Sequence, residues 1–130
     1  MVNKAISYSL ARNFYGINIP LPVQSTYLRT YFEANQLKFR LPIVEITQNN
    51  SYYMLGRAIN HLDQDDIVVM TSILILPHYD QERIKTLLVP NIYENFFHFP
   101  LEGLILNGLD LVKWSKDFSV YCNVSTNKVW

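Results

Sequence analysis

The sequence predicts an α/β fold, a three-layer αβα sandwich in which helices cover both faces of a mostly parallel sheet of about four strands. Short segments rich in β-branched and apolar residues alternate with longer segments whose apolar residues recur at helical spacing. The segment IVVMTSILIL, residues 67–76, is almost entirely apolar, as expected of a strand with helices on both sides. With 130 residues, of which 49% are hydrophobic, the chain suffices for one core, and we expect a single domain over residues 1–130.

The first half of the chain contains two predicted strand–helix pairs. Strand one covers residues 5–10 and closes at Arg12, and a loop with two prolines then leads into a helix whose apolar stripe lies within residues 23–36. Strand two covers residues 39–46 and is followed by a polar stretch. A second helix then presents an apolar face within residues 54–62.

The second half of the chain predicts two more such pairs. Strand three covers residues 67–76, and a helix capped by Asp80 follows it and is broken at Pro90. Strand four covers residues 96–101, and an amphipathic helix within residues 109–121 ends the chain. Right-handed parallel crossovers then give a sandwich of the flavodoxin or resolvase type, and we expect the strand order 2-1-3-4.

Four polar residues fall at or near the predicted strand ends, namely Arg12, Glu45, Ser72 and Glu102. Ligands of open α/β sheets bind beyond the carboxyl ends of the strands, where the strand order reverses. A guanidinium binds phosphate or carboxylate groups, and two carboxylates in different environments serve as acid and base or hold sugar hydroxyls. The pattern therefore favours a small polar or anionic ligand. The alternative is a structural salt bridge between Arg12 and a glutamate.

For the other candidates the structural alternative is the favoured one. Ser72 lacks the glycines of a nucleophile elbow, and a serine inside a buried strand commonly bonds to the backbone. Gln24 and Arg29 lie on helix one, where a surface position is the default. His98 suits a structural hydrogen bond, and Tyr52 is typical of a residue that buries its ring and satisfies its hydroxyl.

Composition and spacing exclude several classes of function. Eleven basic and eleven acidic residues give a net charge of zero, so neither a nucleic acid nor an anionic membrane surface is expected as a partner. The dispersed glycines form no nucleotide-cofactor motif, and the three histidines and one cysteine have no metal-site spacing. We expect no cofactor, no metal and no membrane insertion. The lone cysteine favours the cytoplasm, and the apolar composition is compatible with a homo-oligomer.

A family resemblance rests on several segments that occur in order. The segments ARNFYGINIPLPVQSTYLRTYFEANQLKFRLPIVE, SYYMLGRAI, TSILILP, ER and FHFPLEGLI resemble the pattern of the sporadic carbohydrate cluster protein family, over about residues 6 to 106. The positions that carry the resemblance are Arg12, Pro20, Gln24, Arg29, Glu45, Tyr52 or Tyr53, Ser72, Leu76-Pro77, Arg83, His98-Phe99 and Glu102. A fainter likeness to serine recombinase catalytic domains lacks the nucleophile, because Asn13 and Phe14 occupy that stretch.

The resemblance implies work on bacterial surface carbohydrates, such as lipopolysaccharide or capsule, without implying a reaction. Our first hypothesis is a cytoplasmic enzyme that acts on a sugar or nucleotide sugar. Its predicted catalytic residues are Glu45, Glu102 and Ser72, and its predicted substrate-binding residues are Arg12, Gln24, Arg29, Tyr52, Arg83 and His98. The second hypothesis is a non-catalytic module that binds a glycan precursor or assists a glycan-assembly enzyme. A third, recombinase-like action on DNA, is disfavoured by the neutral charge.

Overall fold

The computed structural model of the chain describes residues 4–39, 42–45, 51–89, 91 and 94–127. Its five-stranded sheet has the order β2-β1-β3-β4-β5. The strands are β1 (Ala5–Ser9), β2 (Ile43–Val44), β3 (Ile67–Met70), β4 (Phe96–Phe99) and β5 (Leu104–Asn107). Strands β1 to β4 are parallel and β5 is antiparallel to β4. The α/β class and the expected order of the first four strands are confirmed.

Four helices connect or follow these strands and lie on both faces of the sheet. They are α1 (Leu21–Ala34), α2 (Tyr53–Asn60), α3 (Gln81–Leu88) and α4 (Gly108–Asn127). Helix α1 packs Leu28 and Phe32 against Ala5, Ile67 and Val69 on one face. The larger core on the other face holds apolar residues of α2, α3 and α4. This three-layer arrangement agrees with the predicted sandwich.

Strand three is shorter than the expected residues 67–76, because the chain leaves the sheet after Met70. Ser72 accepts a hydrogen bond from the Leu74 backbone N–H at 3.1 Å, and residues Ile73–Ile75 form a 3₁₀ turn. Ile73 and Ile75 have no exposed surface, so this turn is as apolar as the strand before it. The continuous apolar run predicted burial correctly and secondary structure wrongly.

Strand β5 is the element that the sequence interpretation missed. The chain reverses in a turn after Phe99, where Gly103 has a φ of +67°, a conformation that favours glycine. Residues Leu104–Asn107 then pair with β4. The expected strand two, residues 39–46, is only Ile43–Val44 in the described part. The described residues do not include positions 40, 41 and 46 of that expected strand, the polar stretch 47–50 or Pro90.

No helix within the described ranges is long and apolar enough to cross a bilayer.

Helix α1 begins at Leu21, two residues before the predicted stripe, with Pro22 in its first turn. A proline suits that position because the first helical N–H groups have no partner within the helix. The loop from Arg12 to Pro20 is thereby placed at the carboxyl ends of the strands.

Candidate functional site

A pocket of about 150 Å³ opens beside Tyr52, near the carboxyl ends of β1 and β3. Its lining residues are Arg12, Asn13, Phe14, Tyr15, Tyr52, Leu74, Leu76 and Tyr79, which we call the Tyr52 pocket. The chain passes from β1 through α1 on one face of the sheet, and from β2 through α2 on the other. The strand order therefore reverses between β1 and β3, which is where ligands of such sheets bind.

Tyr52 forms the wall of this pocket and is held in a fixed position. It precedes α2, is only 6% exposed, and donates its hydroxyl to the Ile75 carbonyl oxygen at 2.8 Å. Burial raises the pKa of Tyr52 to about 12, with a further contribution from nearby Tyr79. The hydroxyl is therefore neutral at physiological pH and serves to fix the ring.

Two guanidinium groups lie against the Tyr52 ring. The Arg12 guanidinium carbon is 5.0 Å from the ring centroid and that of Arg83 is 5.5 Å from it. Arg12 also donates to the Ser51 carbonyl oxygen at 2.7 Å, which holds the loop after β1 against the start of α2. Cation–π contacts of this kind favour cations at the ring faces and concentrate positive charge at the pocket. This charge suits a phosphate or carboxylate group.

Glu45 lies beside this pocket, but its carboxylate is bonded within the protein. It accepts hydrogen bonds from the Tyr8 hydroxyl at 2.7 Å and from the backbone N–H groups of Met54 and Leu55 at 3.1 and 3.2 Å. The residue is 3% exposed. A carboxylate at a helix N-terminus satisfies N–H groups that have no partner within the helix and interacts favourably with the helix dipole. Glu45 is thus an anchor for α2, and its role as acid or base stays a prediction.

Ser72 and Glu102 form a second anchor one strand further along the sheet edge. The Ser72 hydroxyl donates to a Glu102 carboxylate oxygen at 2.7 Å, and the other oxygen accepts from the Ile73 backbone N–H at 2.7 Å. Ser72 is 1% exposed, whereas Glu102 is exposed. The structural alternative for Ser72, a bond to the backbone, is found with Leu74. Leu74 itself lines the Tyr52 pocket, so this pair lies near it.

Gln24 stabilises the loop that carries Arg12. Its side chain is fully buried, donates to the carbonyl oxygens of Leu10 and Ile19 at 2.8 and 2.7 Å, and accepts from the Leu10 N–H at 3.3 Å. Gln24 thereby bonds to both polar backbone groups of the residue after β1, as a neighbouring strand would. The amide is used within the protein, so Gln24 positions the loop. Because the side chain is buried, its position does not favour the predicted contact of Gln24 with substrate.

Two predicted substrate-binding residues lie away from the Tyr52 pocket. Arg29 is exposed and its guanidinium lies 4.5 Å from the centroid of Phe39, in the segment that follows α1. Because α1 runs antiparallel to the strands at 1.5 Å per residue, Arg29 is carried towards the other end of the sheet. His98 lies within β4 on the α1 face, where its Nδ1 is 2.7 Å from the Tyr31 hydroxyl oxygen. Strand alternation places it there.

Two tyrosines that line the Tyr52 pocket are not among the site residues predicted from the sequence. Tyr15 and Tyr79 line the pocket and are 42% and 59% exposed. Both lie in loops that follow predicted strands, and this position is the feature of the sequence that could have identified them. Tyr15 is in a left-handed conformation, with a φ of 50°, and burial raises its pKa to about 12.

A buried histidine holds the pocket wall formed by the 3₁₀ turn. The His78 ring has no exposed surface, and its Nε2 lies 2.6 Å from the Ile73 carbonyl oxygen. Because a carbonyl only accepts, Nε2 carries the proton, and Nδ1 accepts from the Ser115 hydroxyl at 2.7 Å. The rings of Trp114 and Phe118 surround it, and burial lowers the pKa of His78 to about 4. His78 is therefore neutral and joins the turn to α4.

Comparison with models of known protein families, with curated proteins and with solved structures found no match to this chain. Within the described residues, no cluster of three or more histidine, cysteine, aspartate or glutamate side chains could hold a metal ion. The chemistry of the pocket is therefore argued from its own side chains. The Arg12 guanidinium, three tyrosines and an asparagine line the pocket, and Arg83 packs on the Tyr52 ring beside it; together they can bind an anion next to a ring with hydroxyl groups.

Proposed function

We propose that this chain binds a phosphorylated sugar, such as a nucleotide sugar, in the Tyr52 pocket. The observation that carries the proposal is the placement of two guanidinium groups, from Arg12 and Arg83, against one tyrosine ring where the strand order reverses. The phosphate would bind the guanidinium groups of Arg12 and Arg83, and the sugar would contact Tyr15 and Tyr79. At about 150 Å³, the pocket is smaller than the 300–1,000 Å³ typical of sites that enclose a drug-sized ligand, so it would enclose only part of a nucleotide sugar.

The biological setting of this proposal rests on the family resemblance. Similarity to the sporadic carbohydrate cluster proteins supports a role in the biosynthesis of lipopolysaccharide, capsule or another bacterial surface polysaccharide, in the cytoplasm. The flavodoxin-like or resolvase-like form of the sandwich is proposed from the alternation of strands and helices, together with the strand order. A glycan-assembly enzyme would be the partner that receives the bound sugar.

The test is calorimetric titration with UDP-glucose, with uridine and glucose as probes that lack the phosphates. We expect UDP-glucose to bind and the two uncharged probes to bind at least tenfold more weakly, since the charge-assisted hydrogen bonds to phosphate are missing. Arg83→Ala should weaken UDP-glucose binding by at least tenfold. Arg57→Ala is the matched control, because the Arg57 guanidinium lies 5.9 Å from the ring centroid of Tyr53, whereas that of Arg83 lies on Tyr52. Equal affinities for Arg83→Ala and Arg57→Ala would contradict the proposal.

A second candidate function is catalysis on the bound sugar. The exposure of Glu102 near the pocket favours it, because an exposed carboxylate can accept a proton from a ligand hydroxyl. Turnover of UDP-glucose that disappears in Glu102→Gln, while binding is retained, would support an enzyme. Binding without turnover in the unaltered chain would support the non-catalytic module.

A further inference from the structure

Among the described residues, no helix covers the sheet face beside α1 over β4 and β5. In β4, alternate residues Phe97 and Phe99 have no exposed surface and belong to the core shared with α4. Phe96 points to the opposite face and is 50% exposed, and Ile105 of β5 is 55% exposed. Ile105 pairs with His98, which contacts α1, so these side chains share the α1 face. Sheets with parallel strands are normally covered on both faces.

Helix α1 forms the wall of this uncovered region. The bond between the Tyr31 hydroxyl and His98 fixes α1 alongside β4. Tyr27 and Val23 lie four and eight residues before Tyr31, on the same side of the helix, and are 38% and 55% exposed. We call the surface formed by Val23, Tyr27, Phe96 and Ile105 the open face. All four residues are uncharged, and the floor of two strands is about 10 Å wide, the width of one helix.

The open face combines a helix with a strip of sheet, because the exposed stripe of α1 adjoins the strands that carry Phe96 and Ile105. A two-fold rotation would allow α1 of one copy to lie over β4 and β5 of another, while its own β4 and β5 receive the second α1. The formal net charge of zero adds no overall repulsion between copies.

The size of the open face is sufficient for the centre of such an interface. The four side chains together expose on the order of 400 Å², given that an aromatic side chain alone offers 150–250 Å². A standard interface buries about 800 Å² per partner, with an apolar centre and a polar rim. The open face would supply the centre, and exposed polar residues of α1, such as Thr26 and Thr30, would supply part of the rim.

We infer that a second copy of this chain covers the open face, and that the protein is a symmetric dimer in which the two α1 helices pack against each other's β4 and β5. The Tyr52 pocket belongs to a different region, at the strand ends and on the side of α2. The dimer would therefore leave both pockets accessible, and this inference does not rest on the proposed function.

Sedimentation equilibrium of the full chain at micromolar concentrations tests the inference. We expect a mass twice the chain mass of 15.3 kDa. Ile105→Lys should raise the dimer dissociation constant at least tenfold, since it places an unpaired charge at the centre of the interface. Val120→Lys is the matched control, because Val120 on α4 is 56% exposed and lies outside the open face. It should leave the dissociation constant unchanged.

Three results would overturn the inference. The first is a monomer at every concentration, and the second is a dimer that Ile105→Lys does not weaken. The third is a dimer that Val120→Lys weakens as much as Ile105→Lys does. If circular dichroism shows that Ile105→Lys does not fold, Val23→Lys replaces it, because Val23 is an exposed residue of a helix. A dimer unaffected by Val23→Lys then overturns the inference in the same way.

Discussion

Acidification below pH 6.5 is expected to destabilise the protein through His78. The imidazole is buried among Trp114, Phe118 and Tyr15, with no charged group among the contacts described for it, and its pKa is lowered to about 4. In the unfolded chain the same ring has a pKa of about 6.5. Between these two values the unfolded chain binds a proton that the folded protein does not bind, so the free energy of unfolding falls as the pH falls.

The size of the effect follows from the two pKa values. Each unit of difference corresponds to about 1.4 kcal/mol, so the full contribution is about 3 kcal/mol, present above pH 6.5 and lost by pH 4. About 2 kcal/mol of it should be lost by pH 5. For a chain of this length, 3 kcal/mol corresponds to a fall in Tm of about 10 °C.

Urea unfolding of the original protein and of His78→Gln, between pH 7.5 and pH 4.5, measures this contribution. Glutamine cannot take up a proton, so the difference in unfolding free energy between the two proteins should shrink by more than 2 kcal/mol over that interval. Burial also lowers the pKa of His98, and its contribution is common to both proteins and cancels. His61→Gln, at an exposed position, should follow the original protein. Parallel curves for the original protein and His78→Gln would refute the reasoning.

Three further substitutions, with Gly56→Ala as a comparison for the third, test the structural roles assigned above. Glu45→Ala leaves four hydrogen-bond donors without their acceptor and should lower the free energy of urea unfolding by about 4 kcal/mol; a loss below about 1 kcal/mol would contradict the anchoring role. Gln24→Leu leaves buried backbone groups of the first strand unsatisfied and should cost about 3 kcal/mol in the same assay, and a neutral result would argue against its positioning role. Gly103→Ala should cost about 1 kcal/mol because of its positive φ, whereas Gly56→Ala, with room in its helix, should stabilise by up to about 1 kcal/mol.

The parts of the fold that could be predicted are those that depend on the local pattern of hydrophobic residues. Helical periodicity located the amphipathic helices, and the alternation of strands and helices gave a parallel sheet whose order follows from right-handed crossovers. The run at residues 67–76 could not be divided into strand and 3₁₀ turn, because both are buried and apolar. Strand β5 is four residues long and follows a turn of four residues, too short for a periodic signal.

The candidate site was predicted in location more accurately than in the roles of its residues. The edge of the sheet at which the strands end follows from topology, although strands three and four end earlier than expected, and Arg12, Tyr52 and Arg83 meet near that edge. What Glu45 and Gln24 bond to depends on contacts between segments 37 and 14 residues apart in the sequence. The distance of Arg29 from the strand ends depends on its position along α1. These contacts and positions are set by tertiary structure, and the local sequence pattern does not contain them.

The two carboxylates that accept hydrogen bonds from backbone N–H groups, those of Glu45 and Glu102, affect how a ligand would bind. Glu45 occupies the N-terminus of α2 and Glu102 that of the 3₁₀ turn, positions at which many α/β proteins hold the phosphate of a ligand. The loops around the Tyr52 pocket are therefore assembled before any ligand arrives, and binding incurs little of the entropy loss that ordering a loop would bring. Selectivity is left to side chains such as Tyr15 and Tyr79, which can be exchanged during evolution without disturbing the backbone that carries them.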